Sequence, residues 1–154
     1  MMYIKDDKRA QKKLERTIIA ANKPMHVAVG ILQDEKRDDG FSMVDLAMVH
    51  EYGSKNGYIP QRSFIRSSCD IKRKEHLRLL NHLEKKVLLG HLNKKQALTQ
   101  FGEAIKSDMV QAINTGIGPV LKSSTVKRKK SSKPLIDTGL LKGSIVHEVR
   151  NGGI

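Results

Sequence analysis

His50-Glu51-Tyr52-Gly53-Ser54-Lys55-Asn56-Gly57-Tyr58-Ile59-Pro60-Gln61-Arg62-Ser63-Phe64-Ile65-Arg66 reads as the end of a short helix, a glycine-marked turn, a loop, and a proline that opens an extended run. Upstream, Ser42-Met43-Val44-Asp45 has the form of a helix start, with a hydroxyl cap and an acidic residue three positions on. Met43, Leu46, Ala47 and His50 follow at helical spacing, and Gly53 falls where a left-handed closing residue is needed. Beyond Pro60, the alternation of Arg62, Phe64 and Arg66 with Ser63, Ile65 and Ser67 predicts an extended arm with two faces. A helix end that delivers a charged and aromatic arm suits a protein that clasps a neighbour better than it suits an enzyme.

The surrounding chain is small and basic. At 154 residues, with 38% apolar residues, 4% aromatics and no tryptophan, it predicts one domain with a modest core. Its 29 Lys and Arg against 16 Asp and Glu give a formal charge of +13, which favours polyanions, either nucleic acid or an acidic protein surface. The single cysteine, Cys69, excludes an internal disulfide and a thiolate zinc cluster, and a reduced intracellular site of synthesis is expected. Met1 to Ala10 is polar, so no secretory leader is expected there. The longest apolar runs are far short of the roughly 20 residues that span a bilayer, and no membrane association is expected.

Working outward, residues 6–22 predict a helix with Ala10, Leu14, Ile18 and Ala21 on one face and bases opposite, stopped by Lys23-Pro24. Met25 to Gln33 alternates, with Val27, Val29 and Ile31 on one side, and is the clearest strand. The charged run from Asp34 to Gly40 predicts an exposed loop. Ile71 to Leu89 predicts a basic amphipathic helix with Leu77, Leu80, Leu83 and Val87 buried, ended by Gly90. Asn93-Lys94-Lys95-Gln96 is a capping box for the next helix, in which Leu98, Phe101, Ile105, Met109 and Ala112 form a stripe to Asn114. The two helices predict an αα-hairpin as mechanical spine. Gly116-Ile117-Gly118-Pro119 breaks the pattern, and Asp137 is placed to cap a short helical turn at Thr138 to Leu141. Ile145, His147 and Val149 then alternate with Val146, Glu148 and Arg150, which predicts a final strand paired with 25–33. The expected fold class is α+β: a small antiparallel or mixed sheet packed with a long αα-hairpin and an N-terminal helix. One domain covers 1–154, with an arm at about 54–68 and a basic loop at about 122–133.

Catalysis needs a nucleophile, a base and an orienting group that converge, and the six histidines are scattered. His50-Glu51 starts like a metalloprotease helix, but position 54 is Ser54 where a second histidine would be required. Glu35, Asp38 and Asp39 lie among Lys36 and Arg37 and read as a solvated loop rather than a metal cluster. The glycines at 116 and 118 lack the lysine and the preceding strand of a phosphate-binding loop. Cys69 has basic neighbours that would lower its pKa, but no histidine is placed to act as its base. No enzyme activity, cofactor or metal is expected. For Lys127-Arg128-Lys129-Lys130 two readings stand: a salt-dependent contact with nucleic-acid phosphates, or a solvated loop whose charge aids solubility. Without interleaved aromatics, sequence-specific recognition is not expected.

Two separated motifs carry a family resemblance. His50-Glu51-Tyr52-Gly53 through Ile59-Pro60-Gln61-Arg62-Ser63-Phe64-Ile65-Arg66 resembles a signature of tailed-phage neck and tail-completion proteins. Ser124-Thr125-Val126-Lys127-Arg128-Lys129, followed by Pro134-Leu135-Ile136-Asp137-Thr138-Gly139-Leu140-Leu141-Lys142-Gly143-Ser144-Ile145, resembles the close of the same proteins, which include the Mu-like virion morphogenesis family. The motifs themselves are under a quarter of the chain; with the helical stretch between them they span residues 50–145. Ser63 departs from the pattern, which has proline there, so a less rigid arm is expected.

The resemblance implies a structural virion protein, without catalysis, that forms a homo-oligomeric ring (hexamer or dodecamer) at the neck. Its partners would be the head connector or adaptor and the tail terminator or tail tube, and it would reside in the virion after assembly in the host cytoplasm. His50, Glu51, Tyr52, Pro60, Arg62, Phe64, Arg66, Asp137, Thr138 and Leu140 are then the candidate subunit interface, with Phe64 as an aromatic anchor flanked by charges. Lys122, Lys127, Arg128, Lys129, Lys130 and Lys133 are the candidates to face packaged DNA, by electrostatics alone. The competing class is a free basic nucleic-acid-binding protein without sequence specificity. A small hydrolase or toxin built on His50 and Glu51 is a third.

Overall fold

Side-chain caps open three of the six helices among the described residues. The computed structural model describes residues 7–33, 40, 42–119 and 139–152. Helix α1 spans Lys8–Ala21 and begins at Asp7, whose carboxylate accepts from the backbone N–H of Arg9 and Ala10. Helix α2 spans Met43–Tyr52, and Ser42 Oγ accepts from Asp45 N at 3.1 Å as its cap spacing predicts. Helix α3 is Arg66–Ile71 and α4 is Arg73–Leu88, ended by Gly90 at φ +74°. Helix α5, Lys94–Thr115, opens with both halves of the capping box: Gln96 N donates to Asn93 Oδ1 at 2.9 Å and Asn93 N donates to Gln96 Oε1 at 3.0 Å. Helix α6 is the short turn Leu140–Gly143.

The two strands, β1 (Met25–Gly30) and β2 (Val146–Asn151), pair antiparallel from Met25 opposite Asn151 to Gly30 opposite Val146. Two segments near opposite ends of the chain thus close one small sheet, as the two alternating runs predict. With six helices among the described residues, the fold is α+β. The α4–α5 hairpin is its spine, and α5 also lies across the sheet.

Helix α5 approaches the sheet closely enough to demand a glycine. A β-carbon on Gly102 would stand 2.7 Å from Val27 Cγ2 and 2.9 Å from His147 Cδ2. Gly102→Ala therefore sets overpacking of about 1–3 kcal/mol against a helix-propensity gain of about 1 kcal/mol. We expect a melting midpoint lower by a few degrees in thermal denaturation; a raised midpoint would contradict this crossing.

The core has two centres. Ala47, Phe64, Met109, Ile113, Leu141 and Ile145 form the larger one, and Leu83, Val87 and Ala97 the smaller one inside the hairpin. The expected α4 stripe is corrected at two positions: Leu80 is only half-buried, and Leu77 points outward, 52% exposed, with His76 buried in its place. The reason is a partner on α5, since His76 Nε2 lies 2.8 Å from Asp108 Oδ2 and its ring stands edge-on to Phe101. The α5 stripe is likewise shifted: Met109 is buried as expected, together with Ala97, Gly102 and Ile113, while Leu98, Phe101, Ile105 and Ala112 are only half-buried. A helix clamped between a hairpin partner and a sheet buries more than one stripe. Helix α1 buries no residue, and Leu14, Ile18 and Ile19 remain exposed on it.

Candidate functional site

Helical spacing places Glu51 on the same face of α2 as the buried Met43 and Ala47, so its carboxylate enters the protein as the helix ends. Gly53, at φ +81°, then turns the chain back. The return is close: a β-carbon on Gly53 would meet Gln61 N and Ile59 O, each at 3.2 Å. Between them the loop closes on itself. Ser54 N donates to Ile59 O at 2.9 Å, Ile59 N to Ser54 Oγ at 2.8 Å, and Tyr58 N to Asn56 Oδ1 at 3.2 Å. The expected arm at about 54–68 is corrected: residues 54–59 form a closed knob with Tyr58, 80% exposed, at its crown, and from Arg66 the chain is helical.

After the knob, the chain is tied to the end of α2 by backbone and side chain alike. Arg62 N donates to His50 O at 2.7 Å and Gln61 Nε2 donates to Glu51 O at 3.0 Å. The Glu51 carboxylate gathers residues 63–66: its Oε1 accepts from Ser63 Oγ at 2.5 Å and Arg66 N at 3.1 Å, and its Oε2 accepts from Ile65 N at 3.0 Å. Burying a carboxylate is costly unless donors replace water, and three donors do so here. Two of them are backbone N–H groups at the start of α3, where a negative charge is favoured.

Ser63, which stands where the resembled pattern has proline, acquires a reason from this arrangement. Its hydroxyl donates to Glu51 and accepts from Ser67 N at 3.2 Å, so hydrogen bonds restrain the backbone where a proline ring would otherwise do so.

Arg62 and Phe64 point inward from the same segment. Arg62 is 5% exposed and donates through Nε at 3.2 Å and Nη2 at 2.9 Å to the carbonyl of Pro119. Burial pushes its guanidinium pKa down from the ordinary arginine value. Phe64 is fully buried and packs in the larger core with Leu141 and Ile145 of the second motif. Three candidates for the subunit interface are therefore corrected: Glu51, Arg62 and Phe64 are occupied inside the chain, because each finds its partner there. His50 is half-buried, while Tyr52, Pro60, Arg66 and Leu140 are exposed. The Arg66 guanidinium lies 6.0 Å from the centre of the Tyr52 ring, a cation–π contact on the outer surface.

Asp137, Thr138 and the basic positions Lys122, Lys127, Arg128, Lys129, Lys130 and Lys133 lie outside the described residues, as does the charged run 34–39. Among the described residues that flank 120–138, Arg62 grips Pro119 and Leu141 and Ile145 sit in the larger core.

Several groups with catalytic potential are engaged in structure among the described residues. The carboxylate of Glu51 is taken by its three donors, and Ser68 Oγ donates to Ile65 O at 2.8 Å. Asp108 is shared between His76 and, at 3.9 Å, Lys72 Nζ. Burial pushes the Cys69 thiol up, with further support from Asp70, Asp108 and Glu51, which corrects the expectation of a lowered value. Among the described residues no three His, Cys, Asp or Glu side chains form a metal-holding group, and no helix is long and apolar enough to cross a membrane. Comparison with protein-family models, curated proteins and solved structures finds no match.

Sequence reasoning missed the role of Glu51 as a hub and the His76–Asp108 pair. The first had a signal: a carboxylate four residues beyond Ala47 on an apolar helix face. The second had none, because the partner sits 32 residues away on another helix.

Proposed function

We propose that this chain is a structural virion protein of a tailed bacteriophage, a subunit of a ring at the neck that completes the tail and joins it to the head connector around the DNA channel. One observation carries the reading: the first of the two motifs that resemble neck and tail-completion proteins packs against the described end of the second, residues 139–145. Phe64 of the first shares a core with Leu141 and Ile145 of the second, and Arg62 of the first holds Pro119 ahead of the second. Residues from two motifs far apart in sequence that meet in one core support reading the two motifs together.

The contact with a neighbouring copy belongs to the surface this unit leaves outside. Tyr58 and Ile59 on the knob, with Met48 and Tyr52 four residues apart on the outer face of α2, are exposed. Aromatic side chains held on a rigid loop supply contact area at low entropic cost, and a head-to-tail contact that closes yields a ring. In negative-stain images and native mass spectra of the concentrated protein, closed multimers of one copy number are expected. Tyr58→Asp should abolish them while shifting the melting midpoint by no more than about 2 °C, since surface changes stay within about 0.5 kcal/mol. A wild-type chain that stays monomeric under every assembly condition, connector included, would contradict the reading.

A further inference from the structure

One face of α1 is cationic and uncovered. Arg9, Lys12, Lys13 and Arg16 recur at i, i+3, i+4 and i+7, so they share a face, and all four are exposed. They form one wall of a groove of about 490 Å³ whose opposite wall is the turn between α4 and α5, around Gly90 and Asn93. No acidic side chain lines the groove, and none of the four makes an ion pair among the described residues. A fifth cation, Lys94, also lines it; its ammonium donates to the carbonyls of Ala21 at 2.8 Å and Lys23 at 2.5 Å, which fixes the end of α1 against the start of α5. Like charges one helical turn apart repel, and a bound anion would relieve that repulsion.

We propose that this groove seats the phosphate backbone of double-stranded DNA. Arg9 to Arg16 extends about 10 Å along the helix axis at about 1.5 Å per residue. Each strand of duplex DNA presents a phosphate every ~3.4 Å of the axis, so roughly three to four phosphates of one strand fall within reach of the four side chains. The lining holds no aromatic ring, which suits contact with phosphates and not with stacked bases. The four side chains belong to a different stretch of the sequence from residues 122–133. The choice of DNA rests on the neck reading, in which the subunit surrounds the packaged genome; the groove's charge is independent of it.

The test is fluorescence anisotropy of a labelled 20-base-pair duplex titrated with the full chain at several salt concentrations. The combined variant Arg9→Gln, Lys12→Gln, Lys13→Gln and Arg16→Gln should lower the slope of log affinity against log salt by about 3 to 4, at about 0.9 per phosphate contact. Each single Gln variant should lower it by about 0.9, and Arg9→Lys with Arg16→Lys should leave it unchanged, which separates charge from damage to the fold. An unchanged slope in the combined variant, with native circular dichroism, would overturn the proposal. So would a loss of equal size toward polyglutamate of matched charge, which would assign the groove to an acidic protein, and so would tighter binding of duplex RNA than of DNA. Ring formation is read separately, so failure here and failure of the neck reading are distinguishable.

Discussion

Glu51→Ala should cost about 3 kcal/mol of unfolding free energy and about 10 °C of melting midpoint, the largest effect expected of any polar substitution in this chain. The change removes the common acceptor of Ser63 Oγ, Ile65 N and Arg66 N. Each donor left buried without an acceptor costs about 1–3 kcal/mol, and partial exposure of the segment lets water recover some of that. Glu51→Gln should fall in between. An amide oxygen in the Oε1 position keeps Ser63 and Arg66, but the amide nitrogen then faces Ile65 N, donor against donor. Guanidinium denaturation of the three proteins checks the order. Alanine within about 0.5 kcal/mol of wild type would mean that the carboxylate does not organise the segment.

Phe64→Ala should cost about 3–5 kcal/mol, as expected for an aromatic removed from a packed interior. The ring is fully buried at the junction of α2, α5 and α6, with Ala47, Met109, Ile113, Leu141 and Ile145 around it. The loss should appear in the stability of the isolated chain, with assembly failing only in proportion to the unfolded fraction. A stable variant that fails to assemble would return Phe64 to the subunit interface. Tyr58→Asp makes the opposite pair of expectations, so the two variants together separate folding from assembly.

The range of each signal decided how much of the fold and the site was legible in the sequence. The caps at Ser42 and Asn93, the closing glycines at 53 and 90, and the pairing of 25–30 with 146–151 all declare themselves within a few residues or through a two-residue alternation. The direction of the segment after Pro60 does not. Alternation of Arg62, Phe64 and Arg66 with serine and isoleucine is equally compatible with an arm reaching outward and a strap folded inward. What decides it is a carbonyl 57 residues away, Pro119, and a carboxylate on the preceding helix. A buried arginine is rare unless paired, so composition alone argued for the surface. The same holds at His76, where apolar spacing favoured Leu77 and the Asp108 partner reversed the choice.

The corrected strap changes where an assembly contact is to be sought. Glu51, Arg62 and Phe64 hold the fold together. Tyr52, Tyr58, Ile59 and Arg66 remain available to a neighbour.

Electron microscopy of purified virions, with a Fab or gold label directed to this chain, tests the central claim most directly. The account predicts label confined to the neck, between head and tail, with each particle carrying a ring of subunits. Label distributed over the capsid, or virions devoid of the chain while it remains in the infected-cell lysate, would contradict it.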